Sequence, residues 1–123
     1  MSSTGAAMKM VKKSTSQPDE TRKFNKGRID LTNLGGTTIG KATFEPGWKW
    51  STSVKPIVKT ESCQVMHTMY VISGKMHVRM DDGSEQEYGP GDTGVVPPGH
   101  DAWVVGNENC VAIDVTGATN YAK

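Results

Sequence analysis

Cys63 and His67 are the residues of this sequence whose types and spacing most directly suggest chemistry. A cysteine thiolate and a histidine imidazole can bind one metal ion together, or they can act as a nucleophile and its base. In one extended strand, residues four apart lie about 13 Å from each other, which is too far to share an ion. The pair therefore forms a site only if the chain reverses between the two residues. The intervening Gln-Val-Met includes no turn-forming residue, so the pattern alone does not predict that reversal.

Glu61 extends this pair to a candidate set of metal ligands. On a strand, Glu61 and Cys63 share one face, about 6.6 Å apart. Together, Glu61, Cys63 and His67 would offer oxygen, sulfur and nitrogen. That mixture suits a divalent metal such as zinc or an iron-like ion better than magnesium or calcium. His100 or a water molecule could take the fourth position, which is an arrangement typical of hydrolases and lyases.

Other roles for the same residues remain open at this stage. Cys63 can pack as a small hydrophobic residue while His67 makes a hydrogen bond inside the fold. A Cys63–His67 nucleophilic dyad is allowed by residue type, although the sequence shows no third group to orient the histidine. His100 lies between a Pro-Pro-Gly turn and Asp101, so it could act as a catalytic acid or base, or stabilise its loop through a backbone hydrogen bond.

Aromatic and sulfur-containing side chains supply candidates for binding an organic ligand. Trp48, Trp50 and Trp103 could line an apolar pocket, and Trp48 and Trp50, two residues apart, would share one face of a strand. Met76 would give that pocket an adaptable wall. His67 would lie in the same lining. The alternative is that these side chains fill the core or form a dimer contact.

The elements that would position these residues are short strands separated by turns. From Phe24 onward, apolar runs alternate with Gly, Pro, Asn and Asp, and no helical period persists over a dozen residues. In the last run, Val111, Ile113 and Val115 share one face. The pattern predicts an all-β domain, either a sandwich or a barrel. The predicted strands are RIDLTNL, TTIGKATF, TMYVIS, KMHVRM, EQEY, TGVVP, AWVVG and CVAIDV.

Length, charge and cysteine content limit the class of protein. A chain of 123 residues is large enough for one domain. We expect a flexible basic tail over residues 1–22 and a folded domain over residues 23–123. The net charge of +1 gives no strong field, so nucleic acid is not an expected partner. No apolar run is long enough to span a membrane, and the two cysteines are expected to be free thiols in the cytoplasm.

Two segments resemble the conserved motifs of the cupins. GPGDTGVVPPGHDAW resembles the second cupin motif, in which Gly-Asp, a short apolar strand and Pro-x-Gly follow one another. YVISGKMHVRMDDG resembles the end of the first motif and the strand after it. The resemblance covers residues 38–116. It implies a small antiparallel β-barrel of the jelly-roll type, often dimeric, with a pocket inside.

The same resemblance bears on metal binding. Cupins usually hold a divalent metal through His-x-His, a glutamate four residues later and a late histidine. Counted from Gly74 and Gly99, these four places fall in chain order on Glu61, Cys63, His67 and Ala102. None of the four carries its usual residue, so the resemblance implies a modified or absent metal site.

The sequence therefore predicts a single-domain cupin, expected to be a homodimer, that binds a small organic ligand in its barrel. The ligand would be anionic if Lys49, Lys55 and Lys59 line the entrance. One alternative is a metal-dependent lyase, isomerase or hydrolase in which Glu61, Cys63 and His67 hold the ion and His100 transfers protons. The other is a dimeric scaffold or interaction protein.

Overall fold

The structure, a computed structural model, describes residues 9–123, and the first eight residues of the expected flexible tail lie outside this range. The described residues confirm the all-β prediction. The helical elements are two single turns between the third and fourth strands, α1 (Trp50–Ser53) and α2 (Lys55–Val58), and a 3₁₀ turn at Ala118–Asn120. The strands are β1 (Glu20–Phe24), β2 (Gly27–Asn33), β3 (Thr38–Phe44), β4 (His67–Ser73), β5 (Lys75–Met80), β6 (Glu85–Tyr88), β7 (Thr93–Val96), β8 (His100–Val105) and β9 (Cys110–Asp114).

These strands form two antiparallel sheets with the jelly-roll character that the cupin resemblance implied. The larger sheet has the order β1-β2-β3-β9-β4-β7, and the smaller one has the order β6-β5-β8. Their inner faces share one core, to which Ile29 and Val71 contribute from the larger sheet and Val78 from the smaller. No strand ladder joins the two sheets within residues 9–123, so the expected barrel is an open sandwich of two sheets.

The alternation of side chains along β8 and β9 turns polar residues into the core. In β8, His100 is buried on the same face as Ala102 and Val104. In β9, Cys110 and Asp114 are buried, whereas Val111 and Ile113 are partly exposed. The apolar face of β9 that the sequence suggested is therefore the outer face, and the inner face carries a carboxylate.

The folded domain begins earlier than the sequence suggested. Strand β1 starts at Glu20 and pairs with β2 along its whole length, so the expected boundary after residue 22 falls inside a strand. Arg22 in this strand donates hydrogen bonds to the carbonyl oxygens of Thr119 and Tyr121. This contact ties the first strand to the C-terminal segment. None of the helices in the described part of the chain is long and apolar enough to cross a membrane.

Candidate functional site

Cys63 and His100 are brought together by the backbone. The connection that follows α2 forms an isolated antiparallel bridge between Cys63 and His100. The Cys63 N–H donates to the His100 carbonyl oxygen at 2.8 Å, and the Gly99 N–H donates to the Cys63 carbonyl oxygen at 2.7 Å. Side chains directly opposite each other in an antiparallel bridge lie on the same side and close together. The thiol and the imidazole therefore share the interior of the sandwich.

His67 reaches the same place from the other sheet. Residues 64–66 belong to no strand, and β4 begins at His67 in the larger sheet. The chain thus crosses from the edge of the smaller sheet to the larger one within three residues. The crossing brings the Cys63 Sγ atom 3.8 Å from the His67 Nε2 atom, so the chain changes direction between the two residues as a shared site requires.

The three side chains form one buried cluster. One ligand atom from each of Cys63, His67 and His100 lies within 4.8 Å of the others. Cys63 and His100 are only 2% and 3% exposed, and the His67 ring is 13% exposed. The two imidazole rings meet edge to face, with their centroids 5.2 Å apart.

Both histidines have their Nδ1 atom already occupied. His67 Nδ1 donates to the Asp114 carboxylate at 2.5 Å, and His100 Nδ1 donates to the Pro97 carbonyl oxygen at 2.8 Å. Because Nδ1 carries the proton in both neutral rings, Nε2 keeps its lone pair. Two imidazole lone pairs and one thiol are therefore available in the same buried space.

Asp114 is held in place by the turn that follows β9. Its Oδ1 atom accepts hydrogen bonds from the backbone N–H groups of Thr116 and Gly117, each at 3.0 Å. Its Oδ2 atom is left to accept the proton of His67. Gly117 packs tightly against the crossing segment, because a Cβ atom there would overlap the Met66 carbonyl oxygen and lie 2.6 Å from Val65 Cγ1.

These contacts favour charged forms of Cys63 and His67. Burial opposes ionisation of Cys63, but hydrogen bonds with His100 and His67 outweigh it and lower the pKa of the thiol to about 6. Burial likewise opposes the charge on His67, but its hydrogen bonds with Asp114 and Cys63 raise its pKa to about 9. At neutral pH the metal-free cluster therefore favours a thiolate beside a His67 imidazolium, whose Nε2 proton a bound ion would displace to use the lone pair.

The neighbouring groups follow the same physical rules. Burial opposes the charge of Asp114, yet the hydrogen bond and the charge of His67 bring the pKa of this carboxyl below its usual value. Burial raises the pKa of the Tyr121 hydroxyl well above its ordinary value, and the negative charges of Cys63 and Asp114 add to that effect. Tyr121 thus stays protonated. Burial also raises the pKa of Cys110, to about 11, which makes this second thiol unreactive at neutral pH.

A small apolar cavity adjoins the cluster. Its volume is about 50 Å³, enough for a few waters at the roughly 10–15 Å³ that each requires, or for a small organic molecule. His67, His100, Asp114 and Tyr121 form its polar side, and aromatic and aliphatic side chains form the rest. Among the described residues, no lysine or arginine lines it.

The structure brings together some of the residues that the sequence singled out. Trp50, Met76, His67 and His100 all line the cavity. Cys63 lies against His67, as described above. These are the positions expected if the interior binds a ligand or an ion.

Glu61 and Trp103 lie elsewhere, which corrects two expectations. The Glu61 side chain is 97% exposed and pairs with Lys55 at 3.3 Å, because residue 61 precedes the bridge that turns residue 63 inward. Trp103 follows the outward alternation of β8 and stacks on His77, with 4.8 Å between the ring centroids. Glu61 is therefore absent from the donor cluster, and Trp103 is absent from the cavity lining.

Asp114 and Tyr121 were not predicted as site residues. Asp114 is the acidic residue in the apolar run CVAIDV, and an acidic residue in such a strand is a usable signal of a buried polar role. Tyr121 follows the last strand, and its ring lies 5.5 Å from that of His67. Trp48 lies in the connection before α1 and lines the cavity together with Trp50, as the aromatic-lining interpretation of the two tryptophans expects.

The two-sheet jelly roll, together with a donor cluster between the sheets, defines a cupin. The sequence profile of the EutQ-like cupin domain matches residues 48–113, which is more than half of the chain. The protein therefore belongs to the EutQ-like cupin family. No curated protein matches this chain in sequence.

Solved structures share the fold. A protein of unknown function from Rhizobium leguminosarum bv. viciae 3841 is 25% identical, with a TM-score of 0.63, and the match covers 89% of this chain and 97% of that one. The polyketide cyclase RemF from Streptomyces resistomycificus is 16% identical, with a TM-score of 0.62 and coverage of 89% and 80%. Oxalate decarboxylase from Lactobacillus farciminis is 16% identical, with a TM-score of 0.58, and the match covers 83% of this chain but only 32% of the enzyme.

Proposed function

We propose that this cupin holds one divalent metal ion, of the zinc or iron type, on Cys63, His67 and His100, and binds a small organic molecule in the adjoining cavity. The observation that carries the proposal is that both histidines have Nδ1 occupied and Nε2 free, beside a thiol that the site ionises. Histidines that bind metals typically donate the other ring N–H to a carboxylate or a backbone carbonyl. His67 and His100 provide one example of each.

The spacing of the donor atoms fits a small ion. In a tetrahedral zinc site with ordinary Zn–S and Zn–N lengths, sulfur and nitrogen lie about 3.6 Å apart. The Cys63 Sγ to His67 Nε2 distance of 3.8 Å is close to that value. Sulfur and imidazole ligands favour zinc and similar transition metals over magnesium or calcium.

Under this proposal His100 is a ligand rather than the acid or base that the sequence suggested. A bound ion would supply Lewis-acid polarisation of a carbonyl or water oxygen beside it. Tyr121 remains protonated and lines the same cavity, so its hydroxyl is a candidate hydrogen-bond donor to a bound molecule. Glu61 has no part in the site.

The test is the metal content of protein purified without a metal-binding tag. We expect about one ion per chain in the wild type and almost none in Cys63→Ala, since three protein ligands are the usual minimum for such a site. Cys110→Ala is the matched control, because Cys110 is also a buried free thiol beside the cavity but is not part of the donor cluster. Equal metal content in Cys63→Ala and the wild type would contradict the proposal.

A second candidate function has a specific observation in its favour. The hydrogen bond between His67 and Asp114 supplies the orienting third group that the sequence lacked for a Cys63 nucleophile. Under this alternative the protein is a metal-independent enzyme that attacks a small electrophile. This alternative would be favoured over the metal site by two results together. The wild-type protein would contain no metal, and iodoacetamide at neutral pH would alkylate Cys63 but not Cys110.

We also propose that the protein is a cytoplasmic homodimer. Its two cysteines are free thiols, which fits a reducing compartment. Exposed apolar side chains on the outer face of β4 and β7, among them Tyr70, Ile72 and Val95, support self-association. The third possibility from the sequence, a scaffold, would use this same surface.

A further inference from the structure

Trp48 carries a buried hydrogen-bond donor that has no partner. The residue is 2% exposed, and its indole Nε1 finds no acceptor among the described residues. Trp48 is also part of the cavity lining. Since buried polar groups in native proteins are nearly always hydrogen-bonded, an unpaired donor beside a cavity indicates that something in the cavity accepts its proton.

The indole ring is fixed in position, so the donor cannot easily turn towards another acceptor. The ring packs on Phe44 with a centroid distance of 4.3 Å and lies 6.3 Å from Phe24. The Trp48 carbonyl oxygen accepts from the Val104 backbone N–H, and the Trp48 backbone N–H donates to the Glu45 carbonyl oxygen. These two hydrogen bonds anchor the backbone of Trp48. These contacts hold the N–H group in one preorganised orientation.

The rest of the cavity limits what the acceptor can be. The lining is mostly aliphatic and aromatic, and within residues 9–123 it contains no lysine or arginine. Its His67 already pairs with the Asp114 carboxylate, which leaves no unpaired cation to balance an anion. Lys49 lies over the outward-facing Trp103 ring, and Lys55 pairs with Glu61, so these two lysines are engaged elsewhere. An uncharged molecule with an apolar body and one exposed oxygen matches this environment.

We propose that the Trp48 indole N–H anchors the ligand of this cavity by donating to a carbonyl or ether oxygen, and that the ligand is a small uncharged molecule with an apolar body. This inference rests on the proposed role of the cavity in ligand binding, but it does not require a metal ion. It replaces the anionic ligand that the lysines of the sequence suggested.

The test uses cyclopentanone and cyclopentane as probes, because they match in shape and differ by one carbonyl oxygen. The chain has three tryptophans, so a ¹⁵N–¹H spectrum contains three indole signals, and Trp48→Phe identifies one of them by its loss. We expect cyclopentanone, but not cyclopentane, to move the Trp48 indole proton downfield. The ketone should also bind about fivefold more tightly than the alkane, the gain expected of one net hydrogen bond.

Trp48→Phe should abolish the preference for the ketone while keeping the aromatic surface. Trp103→Phe is the matched control, because Trp103 lies outside the cavity and should leave the preference unchanged. Equal binding of the two probes, failure of cyclopentanone to bind, or a preference that persists in Trp48→Phe would overturn the inference. If Trp48→Phe does not fold, the Trp48 signal is assigned as the one that remains in both Trp50→Phe and Trp103→Phe, and its shift in the wild type decides.

The same titrations with zinc-loaded and metal-free protein separate this inference from the metal proposal. A Trp48 shift with the ketone in both samples supports the anchor whatever the metal content proves to be. If the protein binds metal but cyclopentanone does not shift the Trp48 signal, the metal proposal stands and the proposed role of Trp48 as an anchor is contradicted.

Discussion

His67 has two ring nitrogens, and the group that contacts one of them determines what the other can do. The Asp114 carboxylate accepts the Nδ1 proton, which leaves the Nε2 lone pair directed towards Cys63. Oδ1 of Asp114 is already occupied by two backbone N–H groups, so only Oδ2 faces the ring. The carboxylate is therefore fixed as an acceptor, and the state of His67 follows from it.

Asp114→Asn should weaken metal binding by about 10-fold to 100-fold, the usual cost of losing such an outer hydrogen bond. The backbone N–H groups of Thr116 and Gly117 will keep the amide oxygen, so the amide nitrogen will face His67 and donate to Nδ1. The ring proton then moves to Nε2, where it blocks the ion. Zinc affinity, measured by competition with a chromogenic chelator, checks this expectation.

Asp101→Asn provides the control for that measurement. Asp101 is next to His100 in β8, but its carboxylate accepts from the backbone N–H groups of Ser51 and Ala102 rather than from a histidine. Its substitution should leave zinc affinity close to that of the wild type. Wild-type affinity in Asp114→Asn would mean that the tautomer argument is wrong.

Residue types predicted one part of this site and could not predict the other. Cys63 and His67 were found because few side chains bind metals and these two lie close in sequence. Asp114 was missed because the alternation of side chains along a strand defines two faces without saying which is buried. In β9 the face with Val111 and Ile113 is more apolar, but the buried face is the one that carries Asp114. Glu61 was included for a similar reason, since the pattern does not reveal that the bridge begins only at Cys63.

At the level of elements, the site depends on a crossing between sheets. The segment 64–66 contains no turn former, and the structure explains why none is needed: Cys63 pairs with the smaller sheet and His67 begins a strand of the larger one. This geometry was available only from the family resemblance, because strand patterns describe pairing within a sheet. Gly117 supports the crossing from behind, where its backbone touches Met66 and Val65.

Gly117→Ala should therefore disturb both stability and the site. Its backbone is in an ordinary conformation with φ of −94°, so the effect will come from space alone. The added Cβ would meet the Met66 carbonyl oxygen and lie 3.0 Å from His67 Nδ1. We expect a loss of about 1–3 kcal/mol in the free energy of unfolding, as for other overpacked positions, together with weaker zinc binding.

Urea denaturation of Gly117→Ala measures the first effect, and zinc competition measures the second. Gly36→Ala is the matched control, because a Cβ at residue 36 meets no atom within 4 Å and its φ is not positive. Gly36→Ala should match the wild type in both measurements. A stable Gly117→Ala with unchanged zinc affinity would contradict the assigned role of the crossing.

On the scale of the whole molecule, the inner and outer faces of the larger sheet have unexpected compositions. The inner face of β9 carries Asp114 at the site, while the outer face carries valine and isoleucine. Neighbouring strands continue this outer apolar surface, since Tyr70 pairs with Ile113 and Thr68 pairs with Val95. The outward side chains of β4, β7 and β9 include no charged residue, as is typical of the core of a protein interface.

This surface is where we expect the homodimer to form, and Ile72→Lys tests it. A lysine in the centre of a desolvated interface would lose its hydration without gaining a partner, so the dissociation constant of the dimer should increase about tenfold or more.

Ile57→Lys is a close control, because Ile57 is 47% exposed and Ile72 is 46% exposed, but Ile57 lies on α2, away from the sheet. Sedimentation velocity should show a concentration-dependent dimer for the wild type and Ile57→Lys, and a shift to monomer for Ile72→Lys. Since the surface is the outer face of the larger sheet, opposite the face that carries His67, Ile72→Lys should keep its zinc. A wild-type monomer at all concentrations would remove the dimer from the proposal while leaving the site intact.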